Sequence, residues 1–138
     1  MEQKDYLLRE IEKIGLLLRM IFSKIAVKEE NLATTVESQF EEAKGLLLQE
    51  TGIDIDLLLS LDERETDDYL SRFNGLNSAN IEALADILSV TGMKAKPEMT
   101  TVFLEKALNL YELCISTDKT FSFNRERKIS EIRNRLRK

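Results

Sequence analysis

The sequence predicts an all-α fold, a single-domain array of about five to seven antiparallel helices. Three observations carry that expectation. Apolar residues recur at three- and four-residue spacing over long stretches, no stretch keeps the period-two alternation of a half-buried strand, and 138 residues hold only five glycines and one proline. Charged residues make up 33% of the chain and apolar ones 43%, a balance that suits helices with one wet and one dry face. A chain of this length buries roughly two-thirds of its unfolded surface around one core and is too short for two comfortable domains. Residues 1–138 are therefore read as one helical domain.

The first helix is expected from Asp5 to about Val27, where Leu7, Leu8, Ile11, Ile14, Leu18, Ile21, Phe22 and Ile25 form the inward stripe. Leu16, Leu17 and Met20 lie partly off that stripe. The apolar surface is thus wider than a single neighbour requires, so either two helices flank this one or another chain does. A second helix is expected from Asn31 to Thr51, with Leu32, Val36, Phe40, Ala43 and Leu47 buried and Gly52 as its C-terminal stop.

The stretch "DIDLLLSLDERETDDYLSRFNG" divides into two short helical pieces. Asp54 or Asp56 can cap the first and Thr66 the second, and Asn74 and Gly75 end the pair. Ser78 or Asn80 then caps a helix that turns Ile81, Leu84, Ala85, Leu88 and Thr91 inward. Glu82, Asp86 and Ser89 form its thin polar strip and Gly92 closes it.

The segment "MKAKPEM" reverses the chain, because Pro97 disfavours helix in the residue before it, and Thr100 or Thr101 opens the next helix. There Glu105, Lys106, Asn109, Glu112 and Ser116 make one narrow polar strip, which predicts a central helix covered on most sides. The turn "STDKTFSFN" leads into a last helix from about Asn124 to Arg137 that buries Ile129, Ile132 and Leu136.

Much chemistry is excluded by composition. The chain has no histidine, which removes the usual general base, the Ser-His and Cys-His nucleophile systems and the Glu-x-x-His ligands of di-iron bundles. Its glycines are isolated, so no phosphate-cradling loop is present. The one cysteine, Cys114, has no partner within the chain and sits between Leu113 and Ile115, a setting that raises a thiol's pKa and hides it. The acidic run "DERETDD", residues 62–68, lacks the alternating ligands and central glycine of a calcium loop; acids there suit the positive end of a helix dipole. No catalytic, cofactor-binding or metal-ligating residue is assigned.

The opening "MEQKDYLLREIEK" lacks the basic start and small-residue cleavage site of a secretory signal. The longest apolar run, "IGLLLRMIFSKIAV", is broken by Arg19 and Lys24 and falls short of the ~20 residues a membrane span needs. With the single cysteine, these features predict a cytoplasmic location and no membrane partner.

The stretches "NIEALADILSVTG", "FLEKALNLYELCIST" and "FSFNRERKISEIRNRL" together resemble a tetratricopeptide-type hairpin followed by a solvating helix, covering residues 79–137. Leu104 and Ala107 match the family's large residue and the alanine three positions later. Gly92 matches its glycine if the turn carries about three extra residues. No aromatic occupies the first-helix position and no proline ends the second helix. The stretches "DYLLREIEKIGLLLRMIF", "KALNLYELC" and "TFSFNRERKI" further resemble a small family of bacterial proteins with tetratricopeptide-like folds and no assigned activity. The resemblance implies a fold and carries no site residues. Arrays of this type need about three repeats, so the N-terminal helices must complete the core.

Charge is unevenly spread. Residues 125–138 hold seven bases, among them Arg125, Lys128, Arg133 and Arg135, against two acids, a net +5 that leaves −10 on the rest of a chain totalling −5. Bases near a C-terminus complement the helix dipole, and they can also meet an acidic partner. Nucleic acid fits poorly, since no aromatic interleaves the patch and the acidic remainder repels phosphate.

The expected function is a non-enzymatic helical interaction or scaffold domain, with a protein partner or a second copy of itself. The candidate partner surface is Leu16, Leu17 and Met20 together with Arg125, Lys128, Arg133 and Arg135. Two alternatives stay open at this stage. One is a small-molecule-binding protein or enzyme that uses carboxylates and an Arg or Tyr111 in a pocket between helices; the other is an accessory that binds acidic partners or nucleic acid through the last helix.

Overall fold

A computed structural model describes residues 2–26 and 33–137, and among them seven helices and no strand are found. They are α1 (Glu2–Ala26), α2 (Ala33–Thr51), α3 (Ile55–Ser60), α4 (Glu63–Leu70), α5 (Ser78–Lys94), α6 (Pro97–Asp118) and α7 (Phe123–Arg137). The all-α expectation is met. Val27, Asn31 and Leu32, expected at the end of α1 and the start of α2, lie outside the described residues.

One cluster of buried side chains draws on every helix, from Ile14 and Leu18 of α1 through Phe40, Leu58 and Leu70 to Leu84, Leu104 and Ile132. Helices α5 and α6 form the centre, a hairpin with only Ala95 and Lys96 between them. Its antiparallel register follows from three contacts: Gly92 lies against Leu104, Tyr111 donates to Asp86, and Ser78 donates to Asp118. Helix α2 runs antiparallel to α1: Lys13, at the middle of α1, meets the Glu50 carbonyl in the last turn of α2, while the neighbours Lys94 and Lys96 reach Ile25 at the end of α1 and Glu37 near the start of α2. Helix α1, in contrast, runs parallel to α5. Its Ile11 carbonyl accepts from Asn80 at one end and its Ile25 carbonyl accepts from Lys94 at the other. Between the long pairs, α3 and α4 turn the chain back so that the second pair starts beside the first.

Several helix boundaries differ from the sequence expectation, each for a local reason. Helix α4 is capped by Asp62, which accepts from the Glu65 amide while the Glu65 carboxylate accepts from the Asp62 amide, a reciprocal capping box. Thr66 is not the cap; it is fully buried and its hydroxyl accepts from Lys106 at 2.6 Å. Helix α5 is capped by Asn77, whose side chain accepts from the Asn80 amide, and neither Ser78 nor Asn80 is the cap. Asn80 is instead buried and donates to Gly75 and Ile11 carbonyls, tying the α4–α5 turn to α1.

Helix α6 begins at Pro97, not at the threonines, since proline's fixed φ and missing amide suit the first helical position. Helix α5 passes through Gly92 and continues to Lys94. Gly52, by contrast, ends α2 as expected, at φ +80°, in the left-handed region glycine tolerates. For α3, the cap is Asp54, one of the two aspartates expected.

Lys106 departs most from the polar strip predicted for α6. It is 6% exposed and its ammonium donates to the Leu61 carbonyl and to Thr66, fixing the α3–α4 junction against α6. Burial lowers its pKa from 10.5, opposed by Asp62, Glu63 and Glu65 nearby.

Candidate functional site

Of the inward stripe expected for α1, Ile14, Leu18, Ile21 and Ile25 are buried on the face turned to α2 and α5, whereas Leu7, Leu8 and Phe22 are exposed and Ile11 is half-buried, because the neighbours cover only the middle and end of that face. Leu16 and Met20 lie about half a turn away from that stripe by helical spacing, and they remain 63% and 44% exposed. Leu17, partly buried, stands between the two faces. Because α2 is antiparallel, it brings Leu46 beside these residues. The four aliphatic side chains line one cleft of about 610 Å³, and Arg9, Glu12, Lys13 and Glu50 complete its wall. Lys13 donates to the Glu50 carbonyl at 3.1 Å, one of the carbonyls the last turn of α2 leaves unpaired within the helix. Two flanking helices therefore cover α1, and an apolar strip is still left in the open.

The basic residues of α7 have different surroundings. Arg125 is 6% exposed and its guanidinium bridges two helices, with Nη2 2.8 Å from Glu82 of α5 and 2.9 Å from Asp118 at the end of α6. Lys128, one turn on, meets Glu82 at 3.1 Å and Asp86 at 2.9 Å. The Tyr111 hydroxyl donates to the same Asp86 carboxylate, and Asp118 accepts further from the Ser78 hydroxyl and the Thr120 amide. Three carboxylates and two cations thus form one network between α5, α6 and α7.

The network holds its charges in place. Hydrogen bonds from Arg125, Thr120 and Ser78 keep the Asp118 carboxyl far below its usual range. Burial alone raises Glu82, but hydrogen bonds from Arg125 and Lys128 outweigh it and lower the pKa. Burial and the adjacent Asp86 push the Tyr111 phenol far above its ordinary value. Chemically this arrangement stores no free acid, base or nucleophile. It is a clamp that fastens a helix whose only buried apolar residues are Ile129 and Ile132.

The seven residues named from sequence fall into three groups. Leu16, Leu17 and Met20 come together in the α1–α2 cleft. Arg125 and Lys128 are engaged in the clamp. Arg133 and Arg135 stay exposed, Arg133 in a 3.3 Å pair with Glu112 and Arg135 with a guanidinium nitrogen 3.9 Å from the Met93 sulfur. The acidic partners Glu82, Asp86 and Asp118 were missed by sequence reasoning. A usable signal existed: Glu82 and Asp86 stand one helical turn apart, and so do Arg125 and Lys128, a matched pair of faces.

Cys114 is fully buried in α6 and its thiol donates weakly to the Ser78 carbonyl at 3.4 Å. Burial pushes its pKa up to about 11. Of the acids at 62–68, Asp62, Glu63 and Glu65 form the cap and first turn of α4 while Asp67 and Asp68 fall in its second half, and among the described residues no three His, Cys, Asp or Glu side chains converge on a metal position. No described helix is long and apolar enough to cross a membrane. In comparisons with known proteins, the chain matches no family model, no curated sequence and no solved structure.

Proposed function

We propose that this chain is a non-enzymatic helical interaction module that self-associates through the α1–α2 cleft. The observation that carries the proposal is the convergence of Leu16, Met20, Leu17 and Leu46 in one open apolar strip, on a helix that already has the middle and end of its inward face buried. The occupant is the α1 face of a second copy. Two bases and two acids edge the strip, Arg9 and Lys13 with Glu12 and Glu50, so the rim is charge-balanced and does not repel a second copy. An amphipathic helix laid into an apolar groove anchors through residues one turn apart, the spacing of Leu16 and Met20.

The tetratricopeptide-like reading of the α5–α6 hairpin is supported by the close approach of Gly92 to Leu104 and by the fully buried Ala107. A cytoplasmic setting agrees with a lone buried thiol. The non-enzymatic reading rests on the missing histidine and on a network that leaves no reactive group exposed.

Light scattering across a concentration series tests the proposal. The expected result is a dimer that Leu16→Glu and Met20→Glu each convert to monomer, with helical content retained because both side chains are exposed and with the melting temperature no longer rising with concentration. A strict monomer at high concentration, or a dimer indifferent to both substitutions, sinks it.

A further inference from the structure

A second cleft, of about 450 Å³, lies where α2 crosses the α5–α6 hairpin. Its wall includes the aromatic pair Phe40 and Phe103, packed edge to face with centroids 4.9 Å apart, and Met99. Two polar atoms in the same wall are buried and have no hydrogen-bond partner among the described residues, Glu37 Oε1 and Thr91 Oγ1. Thr91 is 1% exposed and is one of the residues that line the cleft, so a ligand reaches its hydroxyl only as the wall gives way around it.

Buried carboxylate and hydroxyl oxygens are almost always paired, and an orphan in a native fold calls for a specific explanation. An apolar isostere at either position would fold without that penalty. The other carboxylate oxygen of Glu37 has only a long contact, 3.9 Å, with the half-exposed Lys96. Lys44 is held by Glu41 and Asp56 at 2.9 Å each and is not available to Glu37. Four carboxylates against two lysines around the cleft favour a cation over an anion. An acceptor pair beside aromatic and thioether surface matches an ammonium group carried on an apolar body.

We propose that this cleft binds a small organic ammonium ion, which donates to Glu37 Oε1 and Thr91 Oγ1 while its apolar part lies against Phe40, Phe103 and Met99. The site is separate from the α1–α2 cleft and does not depend on self-association.

The test is a nuclear magnetic resonance titration of the full chain with 2-phenylethylammonium, and with neutral 2-phenylethanol as the control of equal shape. Saturable shifts confined to Glu37, Thr91, Phe103 and their neighbours are expected for the cation only. Glu37→Gln and Thr91→Val should each weaken binding about tenfold or more. Lys96→Ala should tighten it, because it removes the chain's own competing ammonium. Thr91→Val should also raise the melting temperature of the free chain, the mark of a hydroxyl kept for a ligand at the fold's expense. That variant keeps the test decisive should Glu37→Gln fold poorly. Equal binding of the alcohol, unsaturable shifts, or full affinity in Thr91→Val would overturn the proposal. So would a crystal structure from the saturated cation solution with only water between the two oxygens.

Discussion

Gly92 and Leu104 meet across the α5–α6 hairpin with no room for a methyl group between them. A Cβ built on Gly92 would lie 2.9 Å from Leu104 Cδ2 and 3.0 Å from Phe103 Cβ. The second contact decides the matter, since a Cβ cannot swing aside by changing rotamer. Gly45, in the exposed interior of α2, has nothing within 4 Å of the same construction. Alanine should therefore have opposite effects at the two glycines. At Gly45 it gains helix propensity and stabilises by roughly 0.5–1 kcal/mol. At Gly92 the same gain is overtaken by an overpacking cost of about 1–3 kcal/mol. Urea midpoints of the two variants check both signs, and a stabilised Gly92→Ala would show that the hairpin can spread at no cost.

Arg125 should be the least replaceable residue of α7. Removing it leaves Glu82 with Lys128 alone and Asp118 with no cation, both on partly buried carboxylates. Arg125→Met should cost about 3 kcal/mol, near the lower end for breaking a buried pair because both acids keep some solvent. Arg125→Lys should recover only part of this, since a single ammonium cannot span the two carboxylates as the guanidinium fork does. Amide exchange of α7, read beside the urea midpoint, separates local release of this helix from global loss. Unchanged protection of Ile129 and Ile132 in Arg125→Met would remove the clamp from the account of how α7 is held.

The same carboxylates set an acid limit. Asp118 and Glu82 are both held below their ordinary values, 3.8 and 4.5. In that range the unfolded chain binds more protons than the folded one, so stability rises with pH there. The contribution is complete above these ordinary values and is lost as the pH falls below them. Chemical denaturation near neutrality and at about pH 3 should show the loss. In Asp118→Asn, less stable throughout, the dependence should be shallower. An equal slope in that variant would locate the acid sensitivity elsewhere.

The spacing of apolar residues made α1, α5, α6 and α7 legible, because a 3.6-residue period over four or more turns has few competing explanations. The strip Leu16, Leu17 and Met20 was legible for the same reason, being apolar residues left over once the inward stripe is assigned. Residues with two physical uses were misjudged. Gly92 fits a helix end as well as a close crossing, and only the distance to Leu104 separates the two. Thr66 fits a cap as well as a buried hydroxyl, and the choice depends on Lys106, 40 residues away. Arg125 and Lys128 look like surface charge until Glu82, 43 and 46 residues earlier, is brought beside them. Glu37 and Thr91 were out of reach in the same way, since their lack of partners is a property of packing.

Cys114 should be silent toward thiol reagents in the folded chain and should report on the release of α7. The thiol is fully buried, donates to Ser78 and has its pKa pushed up from 9.0 to about 11, so near neutrality almost none of it is thiolate. A raised value means the folded chain keeps a proton that the unfolded chain gives up. Its stabilising share is complete below pH 9.0 and is lost as the pH rises toward about 11. Labelling by an aromatic disulfide reagent near neutral pH should follow the opening equilibrium, not the intrinsic thiol rate. Ser78, whose carbonyl accepts from the thiol, also donates its hydroxyl to Asp118, so the clamp closes over this part of the hairpin. Arg125→Met should therefore speed labelling by more than its effect on global stability accounts for, while Gly45→Ala should slow it. Rapid labelling of the unaltered chain would mean that the α5–α6–α7 seam opens far more readily than its ion pairs and buried surface imply.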